Sequence, residues 1–316
     1  MSQRALTPIA FFAYKRPEHA RRSLESLAAN TLAAESELFI FCDGPRTTQD
    51  EPQVRAMREV AQSRAWCGRV TVIEQERNLG LAASVTKGVD ALCASHGRVI
   101  VVEDDLILSP HFLGYMNQAL DLYAEAENVY QISGYQFPVE LPARQDAFFS
   151  PMATSWGWAT WSRAWKAYDR EAEGYDRLAR DPALRRRFDL NGTYPYFDML
   201  ESWKQGRVDS WGIRFYLGMF LRNGIALHPR QSLVANVGFD GSGVHCGAGA
   251  NRIEDSLSAF VPIVFPEQAT ADTELTERVF EYLHSCNAPS APRPLAWLSS
   301  IRQRLRSAIF SMRGRP

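Results

Sequence analysis

Residues 98–105 read RVIVVEDD. Arg98–Val102 is a nearly uninterrupted β-branched run, the pattern of a strand buried on both faces. It ends directly in Glu103-Asp104-Asp105. Three carboxylates at a strand end repel one another unless something positive sits among them. A divalent ion is the natural partner, and an all-oxygen donor set favours Mg²⁺ or Mn²⁺, which bind through one or two carboxylates plus substrate phosphates. On an extended backbone Glu103 and Asp105 would share a face and Asp104 would point away. One carboxylate could then hold metal while another meets a sugar or ribose hydroxyl. The alternative is a solvated acidic turn ahead of a helix capped at Ser109.

The chain before this stretch alternates. Pro8–Tyr14, Leu38–Cys42 and Val70–Ile73 are strand-like. Between them, helices are expected from Pro17 to about Asn30 and over 49–65; Leu81, Val85, Val89 and Leu92 mark a third at helical spacing. A further helix should follow Ser109-Pro110 to about Ala126. Such repetition predicts a mainly parallel α/β sheet with helices on both faces and a ligand beyond the carboxyl ends of its strands. After residue 130 the pattern loosens. Tryptophans crowd 150–170, a helix pair breaks near Gly206, 236–251 is glycine-rich, and 262–294 holds five of the 17 prolines. The expected organisation is a parallel α/β half (1–127), a looser second half (128–265), a helix and proline-rich stem (266–292) and a tail (293–316).

Composition narrows the function. The 316 residues carry 35 basic and 36 acidic side chains, a net charge of −1, so nucleic acid is not an expected partner. Five scattered cysteines without a CxxC pair fit a reducing compartment. No run reaches the roughly 18 apolar residues of a membrane span, and a cytoplasmic protein is expected. The tail holds six arginines, with Leu298, Ile301, Leu305, Ile309 and Met312 at helical spacing. It reads either as a helix on an anionic inner-membrane surface or as a helix docked on the domain. There is no GxGxxG after the first strand, no GxxxxGK[ST] and no GxSxG, which argues against dinucleotide, P-loop and α/β-hydrolase chemistry.

Several stretches, in order, resemble a glycosyltransferase of the GT-A fold. They are Ala13-Tyr14-Lys15-Arg16-Pro17 after the first strand, Cys42-Asp43-Gly44 after the second, Arg77-Asn78-Leu79-Gly80 with Gly88, and the Glu103–Asp105 triplet in place of a DxD motif. The third resembles a family 2 stretch, from which Ser84 and Lys87 depart. Gly157-Trp158, Asp209-Ser210-Trp211 and Gly241–His245 extend the likeness to the N-acetylglucosaminyltransferase I type, over roughly residues 8–247. With no apolar anchor ahead of the first strand, a bacterial cytoplasmic relative is expected.

The resemblance implies a nucleotide-sugar donor, usually UDP-linked, a glycan or lipid-linked acceptor, and Mn²⁺ or Mg²⁺. It implies that Asp105 ligates the metal, that Glu103 and Asp104 contact donor sugar and ribose, and that Asp43 reads the base with Tyr14 and Arg16 nearby. Asp209 would be the general base of an inverting transfer. Arg77, Asn78 and Lys87 could approach the donor, and His245 could be a metal ligand, a phosphate contact or an ordinary loop residue. Trp158 and Trp211 are candidate acceptor platforms, because aromatic faces stack on sugars; Trp156, Trp161 and Trp165 read as core. Two other readings compete: a sugar-nucleotide pyrophosphorylase, and a non-catalytic glycan-binding module on the same fold.

Overall fold

In the computed structural model, which describes residues 5–142, 144–239, 257 and 260–287, the first part of the chain forms the expected alternation. Strands β1 (Ile9–Ala13), β2 (Glu37–Cys42), β3 (Arg69–Glu74) and β4 (Arg98–Glu103) are separated by helices α1 (Pro17–Ala28), α2 (Glu51–Gln62) and α3 (Leu81–His96). All four strands are parallel, in the order β3-β2-β1-β4. Strand alternation assigns the faces. Ile9 and Phe11 meet Leu24, Leu27, Met57 and Val60 on one side, while Ala10 and Phe12 meet Val85 and Val89 on the other. Pro17 starts α1, where its missing N–H costs no hydrogen bond. Strand order reverses between β1 and β4, so the segments leaving these two neighbours splay apart and open a crevice.

The chain then turns out of the sheet into β5 (Leu106–Leu108) and α4 (Phe112–Leu122). Next come β6 (Val129–Ser133), β7 (Ala147–Ser150), β8 (Trp158–Trp161), α5 (Ser162–Trp165), α6 (Tyr175–Arg180), α7 (Pro182–Phe188), α8 (Tyr196–Lys204), α9 (Trp211–Phe220), β9 (Ile225–Pro229), β10 (Val234–Asn236) and α10 (Thr273–Asn287). The sheet continues as β4-β8-β6-β9-β7, with β8 antiparallel to β4. One eight-stranded sheet therefore runs across the expected division at 127/128. The helix pair breaks where expected: Gly206, at φ +68°, follows the end of α8. A helix lies within 266–292, as expected. Leu275, Val279, Phe280 and Leu283 of α10 are buried in the same cluster as Phe197, Leu200 and Leu217, because one face of α10 is apolar.

Cys42, Cys67 and Cys93 are buried free thiols, and burial pushes each up to about 12. Among the described residues no helix is long and apolar enough to cross a membrane. The arginine-rich tail and the Gly241–His245 segment lie outside the described residues.

Candidate active site

The β1–β4 register builds the crevice. Phe12 lies opposite Glu103, and the ladder continues past the strand ends: Asp104 N donates to Phe12 O at 3.0 Å, and Tyr14 N donates to Asp104 Oδ2 at 3.1 Å. The β1 exit is thereby stitched to the acidic triplet. Arg16 Nη2 then reaches both acids, donating to Asp104 Oδ1 and, at 3.0 Å, to Asp105 Oδ2. The expected facing of the triplet does not hold. Strand geometry ends at Glu103, and the turn at Asp104-Asp105 swings both carboxylates onto one guanidinium.

Asp43, expected to read the base, makes four bonds within the chain. Its Oδ1 accepts from Gly44 N at 2.9 Å and Leu79 N at 2.8 Å; its Oδ2 accepts from Asn78 Nδ2 at 2.9 Å and Gly80 N at 3.0 Å. A carboxylate offers about four acceptor sites. All are used, in a side chain only 7 % exposed. Asp43 thus pins the Arg77–Gly80 segment against the end of β2. Gly44 permits the closure, since a Cβ there would lie 2.5 Å from the Arg77 carbonyl carbon. Asn78 belongs to this clasp, while the Arg77 and Lys87 side chains are exposed.

Sequence reasoning missed Asp50. Its carboxylate accepts from Tyr14 Oη at 2.9 Å and Lys15 Nζ at 2.6 Å, and it closes a capping box with Thr47. The Lys15 bond, then the Tyr14 bond, lower its pKa to about 2. The Thr47-x-x-Asp50 spacing was the available signal. Tyr14 therefore positions the β1 exit through both its N–H and its phenol.

A third segment closes on the acids from β10. That strand pairs antiparallel with β5, and Val237 N donates to Asp105 O at 2.8 Å. Gly238 N is held by Asn236 Oδ1 at 2.8 Å, and a Cβ on Gly238 would lie 2.5 Å from Asp105 Oδ2. Phe239 follows and packs edge-on against Trp156, with ring centroids 5.5 Å apart. The chain enters the glycine-rich segment from beside Asp105.

Asp209 precedes α9, whose N-cap Ser210 accepts from Ile213 N. Its side chain is 65 % exposed, with Arg214 Nη2 at 3.6 Å. With Trp203, Lys204 and Arg207 it lines an open cavity of about 560 Å³. Trp211 stacks on Trp158 at 4.8 Å, and Trp158 pairs in the sheet with Val101, two residues before Glu103. This places the start of α9 towards the carboxyl edge of β4, although no contact joins Asp209 to the triplet among the described residues.

Residues 9–189 match a family model described as glycosyltransferase like family 2. The chain belongs to this glycosyltransferase family. No curated protein matches it. Among solved structures it is similar to a mannosyltransferase, PcManGT from Pyrobaculum calidifontis, in complex with GDP-Man and Mn²⁺: 12 % identity over 70 % of each chain, TM-score 0.38. It is also similar to S. aureus TarS 1-349, at 15 % identity over 51 % of this chain and 48 % of that one, TM-score 0.34. A UDP-glucose pyrophosphorylase complexed with UDP-glucose is similar at 12 % identity over 52 % of this chain and 79 % of that one, TM-score 0.30.

The transferase's parallel half has the GT-A arrangement that the triplet and its flanking motifs implied. The reading of two tryptophans as acceptor platforms needs correction. Trp158 and Trp211 are 0 % and 4 % exposed and lie in the core between the sheet, α3 and α9, so neither presents a face to an acceptor. Trp156, expected in the core, is half-buried and packs against its edge, beside Phe239. Trp161 and Trp165 are core residues.

The acid site of the transferase is electrostatically loaded. Burial, then Asp105 and Asp104, push the Glu103 carboxyl well above its usual range, while Arg16 opposes them. Burial also raises Asp104, against the pull of Arg16. Burial works against the Arg16 charge as well, but the two aspartates outweigh it and raise its pKa. The oxygens of Asp104 and Asp105 converge on one cationic nitrogen, so the donor set fits a Mg²⁺ or Mn²⁺ ion completed by phosphates and water. Among the described residues no third His, Cys, Asp or Glu joins them as a ready-made ligand cluster.

Proposed function

We propose that this glycosyltransferase is inverting and metal-dependent, and that it moves a sugar from a nucleotide-sugar, UDP-linked in the first instance, to a glycan or lipid-linked acceptor. The observation that carries the reading is the convergence of Asp104 and Asp105 on one cationic point at the carboxyl edge of β1 and β4. Asp105, with Asp104, would hold Mn²⁺ or Mg²⁺, which when bound neutralises charge growing on the leaving diphosphate. The clasped Arg77–Gly80 segment and the Tyr14–Arg16 exit form the donor side. Asp209 takes the proton of the acceptor hydroxyl. That oxygen bonds to the anomeric carbon from the face opposite the diphosphate, the bond to the diphosphate oxygen breaks, and the configuration inverts. The arginine-rich tail would bring the enzyme to an anionic membrane surface where lipid-linked acceptors lie.

The test is thermal stability against UDP, GDP, dTDP and CMP, each with and without Mn²⁺. Ligand at about 100 times its dissociation constant adds roughly 2.7 kcal/mol. A shift needing one nucleotide together with Mn²⁺, and lost in Asp105→Ala, is expected. Asp209→Asn should keep that shift and lose transfer by roughly 10²–10⁴-fold. Near-wild-type turnover in Asp209→Asn would remove the base assignment. Release of pyrophosphate in place of nucleoside diphosphate would make the protein a pyrophosphorylase.

A further inference from the structure

We propose that Arg16 and the divalent cation compete for the same two carboxylates, and that Arg16, once displaced, turns its guanidinium onto the donor's diphosphate. Ion and nucleotide would then bind cooperatively through this one side chain. The inference rests on the metal-dependent reading above and adds a residue and an order of events to it.

Three observations carry it. First, a single nitrogen, Arg16 Nη2, bonds both Asp104 Oδ1 and Asp105 Oδ2. These are the oxygens a divalent ion would need, and a doubly charged ion beside a guanidinium is repelled at such range. Second, the other terminal nitrogen, Nη1, is buried and makes no hydrogen bond. A guanidinium carries five N–H donors in a fixed fork suited to phosphate oxygens, so the bridge to the aspartates leaves much of that fork unsatisfied. Third, the backbone is anchored while the side chain has somewhere to go. Arg16 N donates to Tyr14 O and Arg16 O accepts from Ala20 N, both at 3.0 Å, fixing the residue as the N-cap of α1. Its side chain is 20 % exposed, against 5 % and 10 % for the two aspartates, so it stands on the open side of the site. The twelve-residue α1 also turns its N-terminal end towards this position, where an anion is favoured over a second cation.

The experiment is calorimetric titration of Mn²⁺ into the full chain, alone and with saturating UDP, for wild type, Arg16→Gln and Arg16→Lys. Arg16→Gln removes the competitor and should bind Mn²⁺ alone roughly tenfold more tightly. The gain in Mn²⁺ affinity caused by UDP should shrink by a similar factor. Arg16→Lys keeps the charge without the fork, so its affinity for Mn²⁺ alone should stay near wild type while the UDP effect shrinks. Equal or weaker Mn²⁺ binding by Arg16→Gln overturns the inference and leaves the metal-dependent reading standing. If Arg16→Gln does not fold, an undiminished UDP effect in Arg16→Lys overturns it. UDP binding with no Mn²⁺ binding in any of the three proteins overturns the metal-dependent reading itself, and with it this inference, leaving Arg16 as a permanent counter-charge.

Discussion

Replacing Asp43 with Asn separates holding the Arg77–Gly80 segment from reading a nucleotide base. The change keeps size and shape but turns one acceptor oxygen into an NH₂ group. However that amide is turned, its NH₂ faces two donors: either Gly44 N and Leu79 N, or Asn78 Nδ2 and Gly80 N. Two bonds to a charged acceptor are lost, each worth about 1.5–3 kcal/mol. Water cannot readily replace them at a side chain 7 % exposed. Asn78 can rotate away and recover part of the loss, so about 3 kcal/mol is the expected cost. For a chain of 316 residues that is a fall of about 4–5 °C in Tm. Calorimetry without ligand measures it, and titration with UDP, GDP, dTDP and CMP measures the second consequence. A loosened Arg77–Gly80 segment should weaken whichever nucleotides bind by a common factor, leaving their ranking unchanged. A variant that melts within about 1 °C of wild type but reorders the nucleotides would refute the clasp and restore Asp43 as a base-reading group.

Three further outcomes follow from the packing. His228 is fully buried, donates from Nε2 to Met152 O, and is held by burial at about 4 instead of 6.5. The unfolded chain therefore binds a proton that the native state refuses, and stability present above pH 6.5 is lost as pH falls towards 4. About 2 kcal/mol should go between pH 7 and 5, and a His228→Gln variant that keeps the same slope in urea titrations would contradict this. Gly238→Ala should leave the unliganded Tm nearly unchanged but weaken the Mn²⁺-dependent nucleotide shift, because the new Cβ displaces the Asp105 carboxylate; the thermal assay with and without Mn²⁺ reads both. Trp211→Ala should cost about 3–5 kcal/mol in urea unfolding, as a large core side chain does; normal stability with only a raised acceptor KM would move Trp211 out of the core.

The parallel half was legible because its signals are local. A β-branched run such as Val99–Val102 has one good environment, and helix marks such as Pro17 or the Leu81-Val85-Val89 spacing need no knowledge of the rest of the chain. The mixed half was not, because β6, β7, β8 and β9 span only four or five residues each and owe their strand form to neighbours distant in sequence. The same limit divides the site. An acidic triplet at a strand end announces itself, but period-two facing stops where the strand stops, and the turn that brings Asp104 beside Asp105 is set by β5 leaving to pair with β10. Asp43 was visible as an acid after β2, while its four donors come from its neighbour Gly44 and from a loop about 35 residues on.

The tryptophans show most sharply what composition leaves open. Each is a large apolar plate with one donor, and that chemistry suits a sugar face and a protein core equally well. The choice is made by the elements on either side. Trp158 is enclosed because β8 is inserted between β4 and β6, where α9 covers it with Trp211 and Phe215. Trp156, two residues earlier, lies ahead of that strand and keeps part of its surface open, beside the segment that carries Phe239 past Asp105. A strand boundary thus decides which tryptophan is enclosed and which keeps an open edge. A register likewise decides where Arg16 points. Its position before Pro17 fixed only where its backbone would lie, whereas the β1–β4 register brought its guanidinium to the two carboxylates whose charge any bound cation must share.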